Sequence, residues 1–156
     1  MNLKRMLVDV AVVSVFLCGG CSKPEAPAKL IGEEGTKKAA AEAQAAFEEF
    51  RARVQKPQPG DRSFQVKIEV KDENGAELVW LTDLKLDTEP YACTIASEPT
   101  TVRCVKWKDS YTFSKADVRD WMYWAGTVVQ GNYMVRAALE SMPEKQAASV
   151  KKKMGW

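Results

Sequence analysis

Asp117 and Asp120 stand three residues apart, which on a helix would bring both carboxylates to one face. One could then donate a proton while the other accepts it, so the two are acid–base candidates, with Glu77 as a third carboxylate for a hydrolase. The competing roles are structural. Ser114-Lys115-Ala116-Asp117 has the pattern of a helix cap with an acid at the third position. Asp120 has Arg119, Arg136 or a backbone N–H as possible partners. A glycosidase would also need its second carboxylate across a cleft, so no catalytic residue is assigned.

Composition removes other chemistries. The chain has no histidine, so no Ser-His-Asp or Cys-His nucleophile can be assembled, and no imidazole base operates near neutral pH. Of four cysteines, Cys93 and Cys104 belong to the folded part. They are equidistant from the centre of a turn through Ser97-Glu98-Pro99-Thr100, which would join strands Tyr91 to Ala96 and Thr101 to Trp107. Facing each other across that hairpin in an oxidising compartment, they are expected to form a disulfide. Two buried free thiols are the alternative. A redox-active pair is disfavoured, since no CxxC motif or helix N-terminus lowers a thiol pKa. Two thiolates do not close a zinc site, and neither a metal nor a cofactor is expected.

The first residues indicate where this chemistry would operate. Lys4 and Arg5 precede an apolar run from Met6 to Leu17, shorter than the ~20 residues a membrane span needs and interrupted by Asp9. This reads as an export signal. Leu17-Cys18-Gly19-Gly20-Cys21 resembles a lipobox, with Cys21 as the acylated residue and residues 1–20 removed. Cys18 stands where a larger aliphatic residue is usual, so ordinary cleavage after Gly20 stays open. Ser22 through Ala28 are polar and Pro-rich, and residues 21–35 read as a flexible tether. By resemblance to enterobacterial sorting rules, Ser22 after the cysteine directs the protein to the outer membrane, facing the periplasm, with inner-membrane retention as the alternative. Cleavage lowers the basic count from 23 to 21 and the acidic count from 21 to 20, a net charge of +1. That balance argues against a nucleic-acid partner. Lys37-Lys38 and Lys151-Lys152-Lys153 read as solvated helix faces.

The elements that must position the candidate residues emerge from periodicity. Thr36 is expected to cap an amphipathic helix (residues 36–56) with Ala40, Ala43, Phe47, Phe50 and Val54 along one stripe. Pro57 and Pro59-Gly60 end it. From Phe64 the period becomes two: Phe64, Val66, Ile68 and Val70 alternate with Gln65, Lys67 and Glu69, as in a half-buried antiparallel strand. Asn74-Gly75 supplies a hairpin turn into a strand from Glu77 to Leu84. After the Tyr91–Trp107 hairpin, Tyr111 to Phe113 reads as a short strand. The Ser114 cap opens helical turns through Trp121, Gly126 and Gly131-Asn132 bracket a loop, and Tyr133 to Ser141 reads as a helix. Ser141-Met142-Pro143-Glu144 is a capping box for a last helix toward Met154. The fold class is α+β: a curved antiparallel sheet of about five strands, open or closed into a small barrel, with C-terminal helices, all within residues 60–156.

Four segments carry a resemblance: Phe64-Gln65-Val66-Lys67, Glu77-Leu78-Val79-Trp80-Leu81, Asp117-Val118-Arg119-Asp120-Trp121-Met122-Tyr123, and Gly131-Asn132-Tyr133-Met134-Val135-Arg136. In order and spacing, across Phe64 to Met154, they resemble the YegJ-like family of bacterial domains of unknown function. Many members carry histidine where this chain has Leu78, so a function resting on that imidazole does not transfer. The resemblance implies no catalytic residues.

The aromatic run Trp121-Met122-Tyr123-Trp124 cannot bury every ring on one side, which makes Trp121, Tyr123 and Trp124 the candidate interaction surface. The expected function is a non-enzymatic, protein-binding role in the envelope, of inhibitor or immunity type. A carboxylate-dependent hydrolase and a small-ligand-binding or structural envelope protein are the alternatives.

Overall fold

A computed structural model describes residues 27–156. The export segment 1–20, Cys21 and residues 22–26 of the expected tether lie outside the described residues. Helix α1 (Pro27–Ala45) departs from helical geometry at Gly32, whose φ is 65°. It begins inside the stretch read as tether rather than at Thr36. Thr36 is no N-cap: its hydroxyl donates to the Gly32 carbonyl at 2.7 Å. Helix α2 (Phe47–Gln55) comes after a single residue, Ala46. The apolar stripe works as its spacing predicts, with Ala40, Ala43, Phe47 and Phe50 buried. Full burial of each phenylalanine contributes about 1.5–3 kcal/mol. Helix α1, with Ala39, Ala40 and Ala43 buried, packs on helix α3 (Tyr133–Leu139), whose Met134 and Ala138 are also buried.

The strands are β1 (Asp61–Asp72), β2 (Gly75–Lys85), β3 (Tyr91–Ile95), β4 (Ser110–Phe113), β5 (Val118–Ala125) and β6 (Val128–Gly131). They form one antiparallel sheet in the order β4-β3-β2-β1-β5-β6. The sheet is open, with β4 and β6 at its edges, so the barrel alternative falls. Alternation in β1 sets the register: Val66 faces Leu81 and Ile68 faces Val79, all four buried beneath α1 and α2. Gly75, at φ 136°, makes the hairpin turn, and the Asn74 amide donates to the Asp72 carboxylate at 2.8 Å.

Three expectations fail for long-range reasons. Thr101 to Trp107 is not a strand. The β1–β2 hairpin pulls this segment away, since Asp72 accepts the amides of Arg103 and Cys104 while Glu77 accepts those of Thr100, Thr101 and Val102. The partner of β3 is therefore β4, with Cys93 opposite Tyr111. Helical turns do not run through Trp121 either. Only a 3-10 turn (Lys115–Asp117) forms after the Ser114 cap, and the chain then extends as β5. β-branched and aromatic residues favour a strand once β1 offers an edge to pair with. Finally, Val128–Gly131 pairs with β5 as a sixth strand where a loop was expected.

Helix α4 (Glu144–Met154) forms as expected, but Ser141 does not cap it. Instead the Pro143 carbonyl accepts the Gln146 and Ala147 amides. No helix among the described residues is long and apolar enough to cross a membrane.

Candidate functional site

The edge of the sheet where β5, β6, α2 and α3 meet carries an open cleft of about 330 Å³. Tyr123 and Gln130 come from paired positions on β5 and β6, Tyr133 and Arg136 from successive turns of α3, and Glu49 from α2. Trp121 and Phe50 lie beneath them, their rings stacked 4.8 Å apart. Trp121 is only 5 % exposed, and its indole N–H donates to the Ala43 carbonyl at 2.9 Å. The Tyr133 ring meets Trp121 edge-on at 5.4 Å and 76°, and Tyr123 lies 6.3 Å from Trp121 while stacking on Phe64 at 4.9 Å.

Gly131 makes this arrangement possible. At φ 70° it lets the chain turn from β6 into α3, and a Cβ there would collide with the Trp121 ring and the Trp121 carbonyl oxygen. The chain turns sharply enough for the Asn132 amide to donate to that same carbonyl at 2.7 Å.

The cleft's charged groups differ in how they are occupied. Arg136 donates to the carbonyls of Gly131 (2.7 Å) and Val129 (3.2 Å), with its guanidinium 3.9 Å from the Trp156 ring centroid. Arg53, 5.8 Å from the Tyr123 centroid, is held by Asp61 at 2.5 Å. Burial pushes the Tyr123 and Tyr133 hydroxyls above their ordinary pKa, so both are neutral donors at physiological pH. A second open depression, of about 500 Å³, lies against β2, β3 and β4 and is lined by Asp83, Lys85, Thr94, Thr112 and a single aromatic ring, Tyr111.

The family described as "Uncharacterized protein conserved in bacteria (DUF2314)" matches residues 33–156, which include all of β1 through α4. The chain belongs to the DUF2314 family. It is also distantly similar to "Uncharacterized protein YegJ" of Escherichia coli (strain K12), 28% identical over 92 residues. That match takes in 59% of this chain and 60% of the YegJ protein, so the chain spans less than two thirds of that relative. No solved structure matches.

Within this DUF2314 domain the two candidate aspartates are separated. Asp117 is exposed on the 3-10 turn, accepting hydrogen bonds from the Ser114 amide (2.7 Å) and hydroxyl (2.8 Å). Asp120 is completely buried in β5 and accepts the amides of Trp121 (2.8 Å), Tyr133 (2.9 Å) and Met134 (3.1 Å). It therefore caps α3 from a distant strand, the place Asn132 occupies in sequence without a side-chain cap of its own. Burial raises the Asp120 pKa, against the opposing pull of Lys67 and the three amides. Lys67, its cross-strand neighbour, is half-buried, with its ammonium 4.2 Å from the Trp80 centroid, and burial lowers its pKa. Glu77 is no better placed for proton transfer. Burial would raise its pKa, but the Thr101, Thr100 and Val102 amides outweigh burial and leave it below the usual range.

Of the three expected surface aromatics, Trp121 floors the cleft and Tyr123 lines it. Trp124 falls on the other face of β5, where the Arg62 guanidinium lies 5.2 Å from its ring. The expected disulfide is absent: Cys93 and Cys104 are both free. The hairpin that would have joined them does not form. Cys93 is buried, donates to the Tyr111 carbonyl, and has its pKa pushed up by burial to about 12. Cys104 is exposed on the loop held by Asp72, with its pKa raised first by burial and then by the Asp72 charge. Among the described residues no three His, Cys, Asp or Glu side chains gather as a metal site.

Sequence reasoning missed Glu49, Gln130, Tyr133 and Arg136 as cleft residues. The i, i+3 spacing of Tyr133 and Arg136 on α3 was the one signal that could have found them. Glu49 and Gln130 reach the site only through tertiary packing.

Proposed function

We propose that this DUF2314 protein is an envelope lipoprotein that binds a protein partner without catalysing a reaction, using the cleft between Tyr123 and Tyr133 as its contact. The observation that carries this reading is the cleft itself, an open site with aromatic walls and a polar rim. Such aromatic anchors dominate protein interfaces. The state of the carboxylates agrees with it, since Asp120, Asp117 and Glu77 all accept structural hydrogen bonds. In this reading the lipobox-like segment is acylated at Cys21 and the domain faces the periplasm from the outer membrane, which suits an inhibitor or immunity role toward a toxin or an envelope enzyme.

The test is a photo-crosslinking amino acid at Gln130, on the cleft wall, in the full chain expressed in its native envelope. A stoichiometric adduct with one protein is expected, and it should be lost when Tyr133 is changed to Ala. Recovery of monomer alone, or adducts equally abundant from a position on the Trp124 face, would overturn the proposal. Mass spectrometry of the mature N-terminus checks the anchor: a diacylglyceryl group on Cys21 is expected, and an intact leader refutes it.

A further inference from the structure

We infer that two copies of this chain pair through the outer edge of β4, running antiparallel about a two-fold axis at Tyr111. The pairing is independent of the cleft and uses the opposite edge of the sheet. Backbone groups along a strand point alternately to its two sides. Ahead of β4 the Asp109 carbonyl accepts the Ile95 amide at 2.9 Å, and Tyr111 and Phe113 follow as the residues bonded to β3, opposite Cys93 and Tyr91. The register on β3 agrees. The Ala96 amide reaches the Trp80 carbonyl at 2.7 Å, so Thr94, two residues back, turns its groups toward β2, opposite Thr82. The N–H and C=O of Ser110 and Thr112 therefore point away from the sheet, and both residues are exposed.

The other edge is closed by the chain itself. The outward carbonyls of β6 belong to Val129 and Gly131; Arg136 donates to both, at 3.2 and 2.7 Å, and the Trp156 indole N–H donates to Val129 at 2.8 Å. Among the described residues no such bond reaches the backbone of Ser110 or Thr112. Nor does β4 carry the usual guards of a bare edge, since Ser110-Tyr111-Thr112-Phe113 contains no charged residue and no proline. What this edge fits is a copy of itself. With Tyr111 opposite Tyr111 of the second copy, Ser110 stands opposite Thr112 of that copy, and each such pair exchanges both main-chain hydrogen bonds. Hydroxyl side chains then meet on one face, tyrosine rings meet on the other, and no like charges oppose each other along the strand. Trp107, 51 % exposed and three residues ahead of Ser110, leaves apolar surface uncovered at the end of the same edge. A chain with one open edge gives a closed pair: once two β4 strands have joined, neither copy has an edge left, and growth stops at the dimer. An edge of 4 residues makes that dimer concentration-dependent rather than obligate.

The test is sedimentation velocity of the purified full chain across a concentration series. A concentration-dependent passage from monomer to dimer, with nothing larger, is expected. Thr112→Pro removes an N–H that no bond within one copy uses, and by symmetry it removes a bond at each end of the pairing. Association should weaken roughly tenfold or more while the near-ultraviolet circular dichroism of the monomer is unchanged. A second set of variants keeps the inference testable if the proline disturbs folding. Ser110→Lys with Thr112→Lys sets like charges opposite each other across the two-fold axis, as does Ser110→Glu with Thr112→Glu, so each double variant should stay monomeric alone and the two should associate when mixed. Monomer at every concentration, a dimer indifferent to Thr112→Pro, assemblies beyond the dimer, or charge variants that fail to associate on mixing would each overturn the inference. A photo-crosslinking amino acid at Ser110 in the native envelope identifies the occupant: an adduct of two copies is expected, whereas an adduct with a different protein would mean that the edge receives a foreign strand instead.

Discussion

Two glycines with nearly the same backbone conformation isolate the contact that shapes the cleft. Gly126 (φ 62°) and Gly131 (φ 70°) both lie in the left-handed region, where a Cβ costs roughly 1–2 kcal/mol on backbone grounds. Around Gly126 a Cβ would meet nothing within 4 Å, so Gly126→Ala should lose only about that amount. At Gly131 the same methyl would fall against the Trp121 carbonyl and 2.6 Å from ring carbon Cζ3. The carbonyl is backbone and cannot swing away. Relieving the overlap means displacing Trp121 from its stack on Phe50 and from its hydrogen bond to Ala43. Overpacking of this kind costs about 1–3 kcal/mol and a lost hydrogen bond about 1 kcal/mol more. Gly131→Ala should therefore be destabilised by about 3–6 kcal/mol in all. Urea unfolding monitored by tryptophan fluorescence reads the difference. With a slope of about 2 kcal/mol per molar, the extra loss of about 2–4 kcal/mol should put the Gly131→Ala midpoint about 1–2 M below that of Gly126→Ala. Midpoints that agree to within about 0.25 M would show that Trp121 is not seated against Gly131, and the cleft geometry built on it would fail.

Asp120→Ala strands three buried amides and should cost about 2–4 kcal/mol, with faster hydrogen exchange at Tyr133 and Met134; Asp117→Ala, at an exposed cap, should cost about 1 kcal/mol. Equal losses would contradict the long-range capping role. Asp72 has its pKa lowered from 3.8 to about 2, chiefly by the Arg103 amide, so its stabilisation is present above pH 3.8 and is lost as the pH falls through about 2. The stability gap between the wild type and Asp72→Asn should accordingly close as the pH falls across that window, and a gap independent of pH would exclude the carboxylate as the loop's anchor. Iodoacetamide should modify exposed Cys104 in the folded protein and reach buried Cys93 only on unfolding, without prior reduction. If neither cysteine reacts in unreduced, denatured protein, the two are bridged after all.

Particular residues mark where local sequence information ends. The alternation Val66, Ile68, Val70 determined which side of β1 is buried, because a period of two leaves a strand only one way to hide its apolar side chains. The Phe47–Phe50 stripe and the Asn74-Gly75 turn were legible for the same reason: each is a short-range pattern satisfied by one local conformation. The Ser114 cap was legible too, but it lasts a single turn. Beyond that turn the free edge of β1 took over, drawing Val118 through Ala125 into the sheet, and β6 then formed on the new edge. The site depended on these long-range choices. Asp120 looked like half of an acid–base pair until its strand carried it to the start of α3, and Glu49 had no signal at all until α2 was laid across Trp121. The sequence by itself determined the α+β class, the buried faces of its main elements and the absence of imidazole chemistry. Tertiary structure alone decided the strand order, the loop that keeps Cys104 from a hairpin with Cys93, and the cleft. Each of those depends on hydrogen bonds and packing between residues far apart in the chain, where no periodicity records the partner.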